Sequence, residues 1–222
     1  MHTLHTFHNL RLALLVVFLL LLITAGTGGP ACAEGGAWSQ SAFSIPAQRS
    51  IRFPSPDRKK SVVIDGTSMA VSDEGIWLPG LEGYTVLLPA ELVWSPDSKS
   101  FVVTASEAGA EGAWYVSVFV IENDRVNYYD VTGEAAGRFR EQYPCLGPEE
   151  PDMGAIKWLK DAKKLLVAAA VPERSSCAGK RDAWGYVVEI PSGKVLGVLE
   201  PKKLSEDWGE FLGPRLSRAG RR

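Results

Sequence analysis

Three acidic side chains crowd a short loop that contains two prolines, and they are the first candidates for chemistry. Glu149, Glu150 and Asp152 lie within four positions of each other. Two carboxylates at a suitable separation can act as the acid and base of a glycosidase, and carboxylate oxygens are also ligands that calcium prefers. A solvated acidic loop beside Cys145 is the reading that the sequence favours.

The first 33 residues are organised like a cleavable secretory signal. Arg11 precedes an uncharged run from Leu12 to Ala25, and small residues then lead to Ala31-Cys32-Ala33. This order predicts cleavage before Glu34 and export to the periplasm or the medium. One alternative is an uncleaved membrane anchor, although the apolar run is shorter than the ~20 residues of a spanning helix. The other is a lipoprotein modified at Cys32.

Removal of this signal leaves 189 of the 222 residues and excludes several kinds of catalytic and metal-binding site in them. His2, His5 and His8 are the only histidines, and all three lie within the signal. Without histidine, Ser-His-Asp and Cys-His arrangements are impossible, and zinc sites of the imidazole type are excluded. The 23 basic and 26 acidic residues that remain give no reason to expect nucleic acid. We therefore expect no enzymatic activity and no cofactor.

Two cysteines, Cys145 and Cys177, are left once Cys32 is removed with the signal. In an oxidising compartment they most simply form one disulfide. They flank a predicted strand pair, Ala155–Leu159 and Lys163–Val171, so the bridge would join the loops at the open end of that pair. Two free thiols are the alternative.

Residues 50–213 are predicted to form a single, mainly β domain, because short apolar and aromatic runs alternate with turn residues. The expected strands are Ser50–Phe53, Ser61–Asp65, Ser68–Val71, Gly75–Leu78, Tyr84–Leu88, Glu91–Trp94, Phe101–Ser106, Ala113–Glu122, Arg125–Val131, Ala155–Leu159, Lys163–Val171, Ala183–Ile190 and Lys194–Glu200. Ala113–Glu122 is apolar on both faces, which places it between two other layers.

Helices and flexible ends complete this outline of the chain. Helices are predicted at Glu134–Tyr143 and at Lys202–Leu212, the second with an apolar stripe. Residues 34–49 are rich in Gly, Ala and Ser without a period, which indicates a flexible lead-in. Residues 214–222 contain four arginines and little apolar content, which indicates a basic disordered tail.

Three segments of the β region share a motif built around an aspartate. A lysine follows two positions on and a valine six positions on, and in two copies a tryptophan stands three positions before. Proline presets one central position of a turn and aspartate bonds to amides in the same turn, so each copy predicts a hairpin. The motif residues, all structural, are Asp57, Lys59, Trp94, Pro96, Asp97, Lys99, Trp158, Asp161 and Lys163.

The second copy, Val93-Trp94-Ser95-Pro96-Asp97-Ser98-Lys99 followed by Phe101-Val102-Val103, resembles the WSPDGK repeat of TolB-type β-propellers, found in many exported bacterial proteins. The resemblance implies blade-like antiparallel sheets and a role in binding proteins or peptides. Propellers have at least four blades, whereas three copies occur here. The expected fold is therefore an incomplete ring capped by the Leu204–Leu212 helix, a ring with a hidden degenerate blade, or a compact β domain.

The leading functional hypothesis is a non-enzymatic binding or scaffold module of the cell envelope, with an unknown protein or peptide as partner and no membrane span after cleavage. A carboxylate-dependent hydrolase of envelope polysaccharide that uses Glu150 is the alternative, and a purely structural or stress-related envelope protein is a third. Aromatic residues that are exposed could bind glycans or peptides, although packing in the core or at a sheet edge is the interpretation that the sequence favours for each candidate. The candidates are Trp38, Trp77, Tyr84, Tyr128 and Tyr129.

Overall fold

In a computed structural model of the chain, the described residues form thirteen strands in three antiparallel sheets. The structure describes residues 37–46, 50–110, 112–178 and 182–217, so the expected signal at 1–33 lies outside the described residues. The mainly β fold with blade-like sheets and a short C-terminal helix is confirmed.

The strands follow one another along the chain with short connections. They are β1 (Phe43–Ile45), β2 (Ile51–Pro54), β3 (Lys60–Asp65), β4 (Ser68–Asp73), β5 (Ile76–Leu78), β6 (Ala90–Trp94), β7 (Ser100–Ala110), β8 (Trp114–Glu122), β9 (Arg125–Asp130), β10 (Asp152–Trp158), β11 (Lys164–Ala170), β12 (Trp184–Glu189) and β13 (Val195–Leu199). Sheet 1 is β2-β3-β4-β5, sheet 2 is β1-β6-β7-β8-β9, and sheet 3 is β10-β11-β12-β13.

In the part of the chain that the structure describes, three helices and two 3-10 turns accompany the sheets. Helix α1 (Gly133–Gln142) and the turn Pro144–Leu146 connect sheet 2 to sheet 3. Helix α2 (Pro201–Trp208) follows sheet 3, continues into the turn Gly209–Phe211, and is followed by the single turn α3 (Pro214–Ser217). Within the described ranges, no helix has the length and apolar content needed to cross a membrane.

One expected strand is wrong. Tyr84–Leu88 forms only an isolated bridge between Thr85 and Ser68, supported by a bond from the Val86 amide to the Thr67 carbonyl. The reason is that this segment crosses from sheet 1 to sheet 2 and passes only the beginning of β4, so its alternating pattern finds no partner of strand length.

The sheets pack as three successive layers, with sheet 2 in the middle. Phe53, Val62 and Ile64 of sheet 1 pack against Leu92 and Phe119 of sheet 2. On the opposite side of sheet 2, its valines pack against sheet 3 and α1; the residues from sheet 2 are Val102, Val116, Val118 and Val120. The strand expected to be covered on both faces, β8, is therefore the one in the centre.

The far face of sheet 3 is covered by the C-terminal helix. Leu204 of α2 and Leu212 are buried against Ile156 and Leu166, which point away from sheet 2. The apolar stripe predicted for this helix is the reason, since it matches the uncovered apolar face of the last sheet. The described sheets do not close into a ring, which is consistent with either the incomplete ring capped by a helix or the compact β domain.

Both expected flexible ends are packed where the structure describes them. In place of a flexible lead-in, residues 37–46 contain β1, paired with β6, and Trp38, which has no exposed surface. In place of a disordered tail, the first residues of 214–222 form α3 and bury Leu216. The ends are ordered because they pair with each other, through bonds from the Gly213 amide to the Trp38 carbonyl and from the Arg215 amide to the Ala37 carbonyl.

Candidate functional site

The aspartates of the repeat close the first turn of each sheet. The Asp57 carboxylate accepts the Ser55 hydroxyl (2.6 Å) and the Lys59 amide (3.0 Å), and Asp97 accepts from Ser95 and Lys99 at the same distances. The Ser55 hydroxyl is the main reason that the pKa of Asp57 is lowered. Pro96 lies between the serine and the aspartate of the second turn.

The third turn keeps the aspartate but changes its partners. Asp161 accepts the Lys163 amide at 3.1 Å and the Lys164 ammonium at 2.7 Å, and this ammonium is the main cause of the lowered pKa of Asp161. In all three turns the carbonyl of the repeat lysine accepts an amide from the end of β4, β8 or β12 or from the residue just beyond it; the pairs are Lys59 with Glu74, Lys99 with Ile121 and Lys163 with Ile190. The repeat therefore fixes the turns of each sheet.

The repeat tryptophans tie each sheet to the one before it. The Trp94 indole donates to the Phe53 carbonyl of sheet 1, and the Trp158 indole donates to the Val93 carbonyl of sheet 2, both at 3.1 Å. Sheet 1 has Pro54 at the tryptophan position, and proline carries no indole donor. By the same pattern, the tryptophan of a further sheet would donate to the carbonyl of Lys157 in sheet 3. The Lys157 ammonium lies 3.1 Å from the centre of the Phe211 ring. Among the described residues, indole bonds of this kind thus link sheet 1 to sheet 2 and sheet 2 to sheet 3.

A buried glutamate holds the N-terminal segment at the centre of the molecule. Glu91 of β6 is 5% exposed and accepts the amides of Trp38 (2.8 Å) and Ser39 (3.4 Å). The Trp38 ring lies directly on Gly154 of β10, where any side chain would collide with it. Burial raises the pKa of Glu91 to about 7, against the lowering effect of the two amides and Arg215.

A buried ion pair lies in the same region. Asp152 is 2% exposed, receives the Arg215 guanidinium at 2.8 Å and accepts the Trp114 amide at 3.1 Å. The guanidinium lies about 5 Å from the ring centres of Trp38 and Trp114. Burial is the main cause of the raised pKa of Asp152, and Arg215 opposes it. This cluster has the carboxylates of a site but joins the two ends of the chain in a closed interior.

The acidic loop is divided between two environments. Glu149 and Glu150 are exposed, and Glu150 pairs with Arg140. Asp152, expected in the same solvated loop, is instead the first residue of β10 and buried, because Arg215 from the C-terminal end supplies its counter-charge. Across the described ranges, no three His, Cys, Asp or Glu side chains are grouped as a metal site would require.

The two cysteines are joined. Cys145 and Cys177 form a disulfide with their Cα atoms 5.2 Å apart. The bridge connects the turn after α1 to the loop that follows β11, at the open end of the β10–β11 hairpin. Cys177 belongs to the core between sheets 2 and 3, so the bridge fastens α1 to sheet 3.

The candidate aromatic residues differ widely in exposure. Trp38 is buried, and Tyr84 and Tyr129 are half-buried. Tyr128 is 50% exposed and packs on Tyr84, with ring centres 5.9 Å apart. Trp77 of β5 is 57% exposed, which leaves it as the most open aromatic side chain among the five.

Trp77 belongs to the face of sheet 1 that points away from sheet 2. Side chains alternate between the two faces of a strand, and Phe53, Val62, Ile64 and Val71 occupy the face toward sheet 2. We call the opposite surface the open face. It consists of Arg52, Pro54, Ser61, Val63, Asp65, Ser68, Ala70, Ser72 and Trp77.

The middle of the open face is buried and its margins are exposed. The register places Pro54, Ser61, Ser72 and Trp77 in one row across the four strands. Ser61 and Ser72 are 7% and 3% exposed, whereas Trp77 is 57% exposed. Arg52 and Asp65 are exposed on the same face, and neither has an ion-pair partner within the described part of the chain. Sequence reasoning singled out Trp77 but missed this face, which only the register reveals.

Comparisons with known proteins bear on the fold rather than on this face. No protein-family model matches the chain, and no curated protein matches it. Among solved structures it is similar to one titled "Crystal structure of TolB from Acinetobacter baumannii", with 15% sequence identity and a TM-score of 0.37, over 72% of this chain and 34% of that chain. This chain thus spans about a third of that protein's length. A likeness at this level carries no argument, so the blade-like fold rests on the sheets and turns described above.

Proposed function

We propose that this chain is an exported, non-enzymatic binding or scaffold module of the cell envelope, and that it contacts a protein or peptide through the open face. Export follows from the N-terminal sequence, and a disulfide between Cys145 and Cys177 suits an oxidising compartment. Because its strongest carboxylate cluster is buried and ion-paired, the chain offers its exposed surfaces to a partner instead of a catalytic cleft.

One observation carries this proposal. The two outermost sheet faces differ in how far they are covered. Helix α2 covers the outer face of sheet 3, whereas Trp77 on the open face of sheet 1 is 57% exposed. Exposed aromatic side chains are typical of protein contact sites, where they become the residues with the largest binding energies.

Co-purification from the envelope fraction tests the proposal. Tagged wild-type chain is compared with Trp77→Ser and with the matched control Leu196→Ser, which replaces a 45% exposed residue of sheet 3. We expect a partner that is retained by wild type and by the control and lost with Trp77→Ser. A partner retained by all three, or no partner above background, would contradict the proposal.

A further inference from the structure

We infer that the two ends of the described chain form a clasp that is closed while Glu91 carries a proton and opens locally when Glu91 loses it, with the three sheets still folded. The clasp consists of residues 37–46 and 211–217. The inference goes beyond the proposed function, because it does not involve the residues of the open face. It is supported by the contacts of the two ends, by their buried charges and by the cores that they leave intact.

The two halves of the clasp are bonded to each other through the backbone. Ser39 and Leu212 form an isolated β-bridge. Three amide-to-carbonyl bonds of 2.7 to 3.0 Å accompany it; they run from Gln40 to Phe211, from Gly213 to Trp38 and from Arg215 to Ala37. Because each half supplies partners to the other, we expect the two halves to open together.

Two buried carboxylates hold the clasp on the sheets. Glu91 of β6 accepts the Trp38 amide at 2.8 Å, and Asp152 of β10 receives the Arg215 guanidinium at 2.8 Å. The pairing of β1 with β6 covers three residues, of which Phe43 is 47% exposed. The apolar packing of Trp38 is present at every pH, so the two carboxylates decide how the clasp responds to protons.

The clasp supplies one cation to these two carboxylates. Glu91 and Asp152 are 5% and 2% exposed, and buried charges are costly unless they are paired. Arg215 bonds directly to Asp152, near which Glu173 adds further negative charge. Among the described residues, Glu91 bonds to the amides of the clasp and not to the guanidinium. The closed clasp therefore favours a proton on Glu91.

The surroundings of Glu91 agree with this assignment. Ser44 of β1 and Thr104 of β7 stand opposite Glu91 in the sheet, and both are uncharged. Within the described part of the chain, Arg215 on α3 is the charged group that acts on Glu91. Burial outweighs Arg215 and the two amides, and it raises the pKa of Glu91 to about 7.

The direction of the pH effect follows from this pKa. Opening exposes Glu91 to water, where its ordinary pKa is 4.5. The closed clasp thus binds the extra proton between pH 4.5 and about 7, so closure is most favourable below pH 4.5 and weakens as the pH rises. The equilibrium constant for opening rises by up to about 300-fold over this range. Burial raises the pKa of Asp152 too, so its ionisation acts in the same direction.

The cores between the sheets depend little on the clasp. Among the described residues, the core between sheets 2 and 3 contains none from the clasp, and the core between sheets 1 and 2 contains Ile45 as its one buried clasp residue. Trp38 and Leu212 pack instead with Ile156 in the third core, on the far side of sheet 3. Opening therefore uncovers β6 and β10 without separating the sheets.

Amide hydrogen exchange of the purified exported chain tests the inference. The clasp is followed at the amides of Trp38, Gly213 and Arg215, and the sheets are followed at the amide of Val118 in β8, as protection factors from pH 4.5 to pH 8. We expect the protection of the clasp amides to fall by roughly a hundredfold over this range. A local opening exposes little surface, so low concentrations of urea should leave their exchange unchanged, whereas Val118 should be more protected and sensitive to urea.

Three substitutions separate the two carboxylates from the rest of the surface. Glu91→Gln should make the protection of the clasp amides nearly independent of pH. Asp152→Asn should move the fall in protection to lower pH, because Arg215 then serves Glu91 alone. Glu149→Gln, at an exposed position of the acidic loop, is the matched control and should behave as the wild type.

Three results would overturn the inference. The first is protection of the wild-type clasp amides that does not change with pH. The second is exchange of these amides at the same level and with the same urea dependence as Val118, which would mean that the clasp opens only when the whole chain unfolds. The third is a fall in protection that Asp152→Asn leaves in place, and this variant decides the matter even if Glu91→Gln does not fold.

Discussion

The same row of side chains is built differently in sheet 1 and in sheet 2. In sheet 2 the row facing the preceding sheet is aromatic throughout, with adjacent ring centres 4.7 to 5.7 Å apart; it is Trp94, Phe101, Phe119 and Tyr128. In sheet 1 the equivalent row is Pro54, Ser61, Ser72 and Trp77. At three of the four positions, sheet 1 therefore has a proline or a serine where sheet 2 has a large aromatic side chain that fills the core.

Sheet 3 shows which of the two rows is the ordinary one. Its row toward sheet 2 is Trp158, Leu165, Val188 and Val195, all buried. The two rows that face a neighbouring sheet therefore consist of large, mainly apolar side chains. The row of sheet 1, which faces no other described sheet, has small side chains apart from Trp77. The difference teaches that the side-chain types of a row follow from whether another sheet covers it, and the exposed Trp77 is the residue of this row on which the proposed contact depends.

The largest expected effect separates the two rows directly. Phe101→Ala removes a fully buried ring from the row of sheet 2 and should cost about 3–5 kcal/mol of unfolding free energy. Ser61→Ala, at the equivalent position of sheet 1, should change it by less than about 0.5 kcal/mol. Urea unfolding measures both, and equal losses would show that the open face is part of a core.

The covering of sheet 3 gives the second prediction. Leu204→Ala removes the buried side chain through which α2 contacts the far face of that sheet. The substitution should lower the free energy of unfolding by about 2–5 kcal/mol. Leu196→Ala, at a position 45% exposed on the same sheet, is the control and should be near neutral. A small loss for both would mean that α2 does not close the stack.

The pH dependence of stability tests how the chain ends are held on the sheet 3 side. Glu91 has a pKa of about 7 in the folded chain and 4.5 as its ordinary value, so the folded state binds the extra proton between these values. The contribution of Glu91 is thus fully present below about pH 4.5 and is lost as the pH rises to about 7, a change of about 3 kcal/mol. Glu91→Gln should remove this slope in unfolding experiments from pH 4 to 8, and an unchanged slope would refute the assignment.

The smallest effect concerns the bond between neighbouring sheets. Trp158→Phe keeps most of the ring but deletes the donor to the Val93 carbonyl, which should cost about 1–3 kcal/mol. Trp77→Phe, on the open face, should leave the midpoint of thermal unfolding unchanged. Equal shifts in the two variants would mean that the indole bond does not distinguish linked sheets from the free one.

Much of the fold could be predicted from the sequence, because the repeat and the alternation of apolar residues are local signals. The turns around Asp57, Asp97 and Asp161 and the apolar stripe that includes Leu204 fall into this class, and so does the strand that begins at Trp114.

The centre of the molecule could not be predicted, because its contacts join distant parts of the chain. Trp38 is ordered by Glu91, 53 positions away, and Asp152 by Arg215, 63 positions away. Neither segment has a period that would reveal this, and a composition rich in small residues pointed to flexibility. The open face was missed for a related reason: Pro54 and Trp77 become neighbours in one row only through the pairing of four strands.

Site-specific photo-crosslinking in cells that export the chain is the most direct test of the open face as the contact surface. A photoreactive residue is placed at Ala70, on the open face, and in a second chain at Leu196, an exposed position of sheet 3. We predict crosslinked adducts from position 70 and none above background from position 196. Adducts from position 196 alone, or equal adducts from both, would contradict the assignment.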